Sequence, residues 1–233
     1  VLLIRKNTSL PDTVRIKALQ YVTWRTINTI PDSSYKLAQQ QLAFAQEKKM
    51  RKWEGKALYN MATNHYWRGN YAESLRLFEK SLEIRRSVGD KQGVAAILGN
   101  FGLLYNEQGN NVKAVEYLHR SLKINESIRD TAGMCANYSN LASIYLELKN
   151  SAKALEFYNL SLSLYDPVVE QRDIAITLNN IANVYKAEKD YDKALEYLNN
   201  SLEIRLKYND RTGMAINYIN LGSLYLTLGD YEK

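Results

Sequence analysis

Asparagine recurs at equal steps along this 233-residue chain, at Asn60, Asn100, Asn140, Asn180 and Asn220, each 40 residues from the last. A fixed period of this size confines the chain to stacked repeats, because one unit cannot bury its own apolar face and its neighbours must cover it. Beside each asparagine stand a large apolar and then a small residue: Met61-Ala62, Phe101-Gly102, Leu141-Ala142, Ile181-Ala182 and Leu221-Gly222. A ring follows three residues after each small one, at His65, Tyr105, Tyr145, Tyr185 and Tyr225. These spacings share one helical face, so each unit opens with a helix.

A second set keeps the same step: Leu75, Val115, Leu155 and Leu195, then Phe78, Leu118, Tyr158 and Leu198, then Leu82, Leu122, Leu162 and Leu202. Spacings of three and four again mark an amphipathic helix. Ser81, Ser121, Ser161 and Ser201 hold one place on it, where a small side chain is expected to let a neighbouring backbone come close. Between the two helices sit Gly69-Asn70, Gly109-Asn110, Lys149-Asn150, Lys189-Asp190 and Gly229-Asp230, a helix stop followed by an N-cap side chain. A left-handed lysine costs about 1 kcal/mol, so the turns at Lys149 and Lys189 are expected to be built differently. Asp90, Asp130 and Asp210 are placed to cap the next first helix. Where Glu170 takes that place, Pro167 stops the preceding helix.

The combination of Leu141-Ala142, Tyr145, Ala154, Tyr158 and Ser161, with its counterparts in the other units, resembles the tetratricopeptide repeat. The resemblance implies an all-α fold: a right-handed α-solenoid, or superhelix, of antiparallel helix pairs. The family's common repeat is about 34 residues, so this chain resembles a longer-helix variant, and it lacks the proline that usually closes each repeat. The match runs from about Trp53 to Lys233. Upstream, residues 12–50 have the length of a unit, with Pro31 and Asp32 between two helical stretches, but Tyr21-Val22 departs from the pattern. The expected organisation is one solenoid over 1–233: a degenerate capping repeat at 11–50, full repeats at 51–90, 91–130, 131–170 and 171–210, and the first helix of a further repeat at 211–233.

Composition narrows the function classes. No linker interrupts the chain, and no run of about 18 apolar residues exists to span a membrane. A single cysteine, Cys135, excludes an intrachain disulfide and, among Ala and Met, reads as a buried inert thiol. Val1 is not a methionine, and Lys233 ends the chain as a second helix should begin, so a fragment of a larger protein is expected. Residues 1–90 hold 16 basic and 8 acidic side chains, and the remainder holds 15 and 17, so positive charge gathers at one end. That charge could steer an acidic partner or approach an anionic membrane surface, or simply solvate a helix exterior. A tight stripe of Lys and Arg with stacking aromatics, which nucleic acid requires, is absent.

In the resembled family the first helices line a concave groove that holds extended peptides. That implication places the binding face on Asn60, Thr63, Tyr66, Trp67; Asn100, Leu103, Asn106, Glu107; Asn140, Ser143, Leu146, Glu147; Asn179, Asn180, Asn183; and Asn220, Ser223. A carboxamide both donates and accepts, so an asparagine ladder suits a peptide backbone; the alternative is that each asparagine bonds the neighbouring helix or faces water. At about 0.5–1.5 kcal/mol per bond, five contacts fall short of the roughly 8 kcal/mol of micromolar binding, so apolar anchors such as Tyr66, Trp67, Leu103 or Leu146 must contribute. One subtype of the family grips a C-terminal carboxylate with Lys, Arg and Asn. Here the matching places carry Tyr59, Gly99, Ser139, Asn179 and Asn180, so that binding mode is not expected.

Catalytic chemistry finds little support. His65 replaces a tyrosine and reads as a packed histidine, and His119 reads as exposed. Two histidines and one cysteine give no metal-ligand spacing and no Cys-His pair. Glu107 and Glu147 share a register about 8–10 Å apart on adjacent first helices, a separation open to paired-carboxylate hydrolysis, but an acidic patch for a ligand's Lys or Arg is the simpler reading. The expectation is a non-enzymatic protein or peptide-binding scaffold without cofactor, metal or nucleic acid. Leu10-Pro11-Asp12-Thr13, Arg15-Ile16 and Leu19 also resemble the start of extracytoplasmic repeat regions in bacterial sensor kinases, cyclases and regulators. That resemblance implies a periplasmic sensing region, and without it a cytoplasmic location. Self-assembly as a homodimer through the uncapped helix at Tyr218 to Leu228 is a further alternative.

Overall fold

The structure is a computed structural model that describes residues 9–27 and 29–229. Among them are eleven α-helices and no strand: α1 (Asp12–Thr26), α2 (Pro31–Glu47), α3 (Arg51–Trp67), α4 (Tyr71–Ser87), α5 (Lys91–Glu107), α6 (Asn111–Ile128), α7 (Thr131–Glu147), α8 (Ser151–Leu164), α9 (Gln171–Ala187), α10 (Tyr191–Lys207) and α11 (Arg211–Leu228). The chain divides into two compact units, 1–128 and 129–233, and each is a stack of antiparallel helix pairs. In the first unit α1 packs on α2, α3 on α4 and α5 on α6; in the second α7 packs on α8 and α9 on α10, and α11 follows. Within a unit, first helices also touch one another: α1 meets α3, α3 meets α5, and α9 meets α11.

The pairs close through their small residues. Ala62, Ala142 and Ala182 are buried on the first helices, and Ala114, Ala154 and Ala194 are buried on the second. At Gly102 a Cβ would stand 2.6 Å from Leu118 Cγ, so the α5–α6 approach needs a bare backbone. Around these contacts the first unit buries Leu58, Phe78, Ile97 and Phe101, and the second buries Tyr158 with Ile181 and Leu198 with Leu224. Each such large apolar side chain contributes about 1.5–3 kcal/mol.

The recurrent serines are packing residues that also carry a bond. The hydroxyls of Ser81, Ser121 and Ser201 donate to the carbonyls of Gly55, Ala95 and Ala175 at 2.7–2.8 Å, and Ser161 reaches Cys135 O at 3.4 Å. All four serines are buried. A buried hydroxyl without a partner would be costly, so the bond fixes how far each second helix slides along its first.

The tight turns share one geometry. Gly69 and Gly109 have φ of 74° and 72°, and Lys149 and Lys189 have φ of 57° and 62°. In all four the next N–H donates to the carbonyl five residues back, as in Asn110 to Tyr105 and Asn150 to Tyr145, both at 2.8 Å. The expected difference at the two lysines is therefore absent, and the lysines accept the left-handed strain to keep the Schellman closure. Asn110, Asn150 and Asp190 cap the helices that follow, and Asp90, Asp130 and Asp210 cap α5, α7 and α11 through Gly93, Gly133 and Gly213 N–H. Asn70 makes no side-chain cap bond. Glu170 makes none either, because its carboxylate accepts from Asp166 N across the loop that Pro167 opens. Pro31 and Asp32 begin α2 rather than separating two helices, with Pro31 at a position that lacks an intrahelical N–H bond anyway. The Gly229-Asp230 turn extends beyond the described residues at Asp230, and Val1 and Lys233 also lie outside them.

Three of these turns also carry an aromatic stack. Tyr105 lies on Tyr117, Tyr145 on Phe157 and Tyr185 on Tyr197, at centroid distances of 5.3, 5.5 and 5.4 Å. Lys113, Lys153 and Lys193 cover the first ring of each at about 5 Å. His65 breaks the series: its ring meets Tyr35 edge-on, its Nε2 lies 3.3 Å from Tyr35 OH, and burial lowers its pKa.

Candidate functional site

The face built by the first helices differs from the expected asparagine ladder, because several of its carboxamides are spent between helices. Asn60 is 2% exposed. Its Nδ2 donates to Gln20 Oε1 at 3.0 Å and Gln41 Oε1 at 3.3 Å, so it ties α3 to α1 and α2 inside the first unit. Asn100 donates to Tyr59 OH and to its own helix at Ala96 O, both at 2.9 Å. In the second unit Asn220 Nδ2 donates to Asn179 Oδ1 at 2.9 Å, and Asn179 is buried. These bonds join neighbouring first helices. Asn140 and Asn180 are half-buried, and Asn183 is exposed.

Other expected groove residues bridge helices in the same way. Glu107 is exposed and receives Tyr66 OH and Tyr71 OH, each at 3.4 Å. Burial and the Glu107 carboxylate together push the Tyr66 phenol up to about 12. Lys186 Nζ donates to Ser223 Oγ at 2.8 Å, from α9 to α11. Ser143 bonds its own helix at Ser139 O and meets Tyr158 OH at 3.0 Å. Leu103, Asn106 and Leu146 are half-buried, and Glu147 is exposed at the end of α7. Glu107 and Glu147 belong to different units.

What the first unit leaves open is a pocket of about 410 Å³ between α1 and α3, lined by Trp24, Arg25, Ile27, Tyr59, Asn60, Thr63 and Trp67. Trp24 is 64% exposed and Trp67 is 62% exposed. Two indoles in water are unusual, because a large ring normally gains by burial. Neighbouring rings steady the walls. Tyr66 meets Trp67 edge-on at 5.3 Å, and Tyr59 is held by Phe78 at 5.5 Å, by the Arg85 guanidinium 5.1 Å from its centroid and by Asn100 at its hydroxyl. Asn60 and Thr63 form part of the lining, and Arg25 supplies a cation.

The repeat pattern located Thr63 and Trp67 but missed Trp24, Arg25 and Ile27, which lie in the degenerate first repeat. Stepping back one period from Trp67 would have reached Ile27. Among the described residues no group of three or more His, Cys, Asp or Glu could hold a metal ion, and no helix is long and apolar enough to cross a membrane. Cys135 is buried, its thiol pKa is raised by burial, and its sulfur donates weakly to Ser161 O at 3.7 Å.

The chain matches the tetratricopeptide repeat family over residues 53–127, 93–166 and 173–233, and it belongs to that family. No curated protein sequence is significantly similar to it. Among solved structures it is similar to BtubC from P. vanneervenii, with 20% identity, a TM-score of 0.74, and 88% of this chain and 86% of that one covered. A Signal Transduction ATPase with Numerous Domains protein with a tetratricopeptide repeat sensor, from Pyrococcus horikoshii, is 19% identical with a TM-score of 0.71; the match covers 96% of this chain and 35% of that one. The quorum sensor NprR from B. thuringiensis is 16% identical with a TM-score of 0.68, over 96% of this chain and 62% of that one. At these identities the likeness is one of fold. Members of the family are generally non-catalytic protein-interaction scaffolds.

Proposed function

We infer that this chain is a non-enzymatic scaffold that binds an extended peptide on the face of its first helices, with an apolar peptide side chain anchored between Trp24 and Trp67. The observation that carries this reading is the pair of exposed indoles around a pocket whose other walls are braced by Tyr59 and Tyr66. A buried aromatic contact supplies what hydrogen bonds alone do not, since interface energy concentrates in a few aromatic anchors. On the second unit, Asn140 and Asn180 are the ladder asparagines left to meet a peptide backbone, and Asn183 adds an exposed amide.

Panning a displayed library of linear peptides on the whole chain gives the probe, and fluorescence anisotropy gives its affinity. Trp67→Ala is expected to weaken the selected peptide by about tenfold, the loss of one moderate anchor. For a selected peptide that binds the second unit, Asn140→Ala with Asn180→Ala should weaken binding by a smaller factor, from about 0.5–1.5 kcal/mol per lost bond. Helical circular dichroism and melting temperature should stay near those of the parent chain. Unchanged affinity in the tryptophan variant removes the pocket from the reading, and unchanged affinity in the double variant removes the asparagines.

A sensing role is the second reading. It is supported by the likeness of the opening segment from Leu10 to Leu19 to extracytoplasmic repeat regions and by the likeness in fold to two sensor proteins, the Pyrococcus horikoshii protein and NprR. The reading predicts an output domain in the same reading frame, and a periplasmic location predicts a secretion signal and a membrane-spanning helix there too. A reading frame without an output domain overturns the sensing role.

A further inference from the structure

A second cavity, of about 370 Å³, lies in the first unit where the ends of α4 and α6 meet the start of α5, and it is lined by Arg85, Arg86, Gly89, Lys91, Val94, Ile124 and Ser127. Its walls are apolar at Val94 and Ile124 and cationic at the three basic residues. The Asp90 carboxylate beside it is already committed: it accepts from Gly93 N–H at the start of α5 and pairs with Arg85 Nη1 at 3.1 Å. Arg86 and Lys91 are exposed and have no ion-pair partner among the described residues. Arg85 is 7% exposed, and its Nε is buried without a hydrogen-bond partner. Lys56 feels the same surplus, since its pKa is lowered by burial and then by Lys52 and Arg85.

We propose that this cavity binds a small amphiphilic anion, with its carboxylate or phosphate head on Arg86 and Lys91 at the Arg85 end and its apolar body against Val94 and Ile124. Charge and shape argue together. Two unpaired cations beside a buried guanidinium attract an anion, while the apolar walls disfavour a fully hydrated ion such as free phosphate. The volume suits a ligand at the small end of the range for organic molecules. The site lies at the ends of helices joined across two repeats, and its lining residues differ from those of the first-helix pocket.

The test is two-dimensional NMR of the whole chain titrated with octanoate, octyl phosphate and neutral octanol. Octanoate or octyl phosphate should shift the backbone amides of Gly89, Lys91 and Ser127, and the better head identifies the anion. Octanol should shift them little. Arg86→Ala with Lys91→Ala, both on the surface, should leave the spectrum's dispersion intact and weaken the anion by about tenfold or more, as expected for loss of charge-assisted bonds. Four outcomes overturn the proposal: equal shifts from octanol, undiminished binding by the double variant, shifts confined to the indole signals of Trp24 and Trp67, or no shift at all.

Discussion

The two units use one register and solve it differently. At the α4–α5 junction of the first unit, buried Arg85 pairs with Asp90, the cap of α5, and lies across Gly93. At the α10–α11 junction of the second, buried Arg205 lies across Gly213, beside Asp210, the cap of α11. Arg205, however, donates from Nε to Ser201 Oγ at 3.2 Å, and Ser201 in turn bonds Ala175 O and Asn217 Oδ1. Arg85 has no such acceptor at Nε, and its guanidinium instead lies over Tyr59. Asn217 has no asparagine counterpart in α5, where Ile97 occupies the place. Ile97 in place of Asn217, together with Tyr59 in place of Asn179, distinguishes the open surroundings of Arg85 from the closed network of Arg205.

The largest expected effect separates anchoring from crowding. An added Cβ would stand 1.9 Å from Arg85 Nη1 at Gly93 and 2.2 Å from Arg205 Nη1 at Gly213. Crowding alone would make Gly93→Ala the worse variant. The order reverses if the Nε bond to Ser201 holds Arg205 more firmly than the Asp90 pair and the Tyr59 ring hold Arg85. Overpacking costs about 1–3 kcal/mol, and the gain of alanine over glycine in a helix returns about 1 kcal/mol. Urea unfolding should therefore show a net loss of about 2 kcal/mol for Gly213→Ala and about 1 kcal/mol for Gly93→Ala. Arg85→Met and Arg205→Met should each relieve the alanine on their own junction. If relief fails at both, the arginine is not what requires glycine there.

The two units also differ in how they turn. Gly69 and Gly109 serve the first, and Lys149 and Lys189 serve two turns of the second, which returns to glycine at Gly229, all in the same left-handed conformation. A lysine there costs about 1 kcal/mol relative to glycine, so Lys149→Gly and Lys189→Gly should each stabilise by about 1 kcal/mol. Gly109→Ala should destabilise by a similar amount, since a Cβ there meets nothing within 4 Å and the backbone alone sets the penalty. Thermal melting that rises for neither lysine variant would mean that Lys153 and Lys193, stacked on the adjoining tyrosines, hold the turn independently of its first residue.

The fold was legible in the sequence because period, helix spacing and caps are local signals. The places of Ser81 and Asp90 followed from spacing alone, and both do what their position implies. The candidate site was harder to read, because a periodic side chain can point along the stack or out of it with little change in helical angle. Asn60 meets Gln20 and Gln41 in the one repeat whose sequence departs from the pattern, so its partners were invisible to periodicity. Trp24 was missed for the same reason. The turn at Lys149 misled in the opposite direction: propensity argued for a different geometry, and the closure of two packed helices overrode about 1 kcal/mol of local preference.

The smallest effect concerns the cross-links between neighbouring first helices, Tyr66 to Glu107 in the first unit and Lys186 to Ser223 in the second. The titration of the Tyr66 phenol reports on the first. The Tyr66 pKa is raised from 10.0 to about 12, so the folded state holds this proton more tightly than the unfolded chain. The resulting stability is fully present below pH 10 and fades as pH climbs toward 12, while below pH 10 the bond behaves as an ordinary partly exposed contact. Burial is the larger cause of the shift and the Glu107 charge the second, so Glu107→Gln should move the phenolate absorbance titration of Tyr66 partway down without restoring the ordinary value. Ser223→Ala should leave the tyrosine titration unchanged and shift stability by less than about 0.5 kcal/mol, the scale of exposed contacts. A full return of Tyr66 to its ordinary value in the glutamine variant would show that charge, not burial, distinguishes the first unit's bridge from the second's.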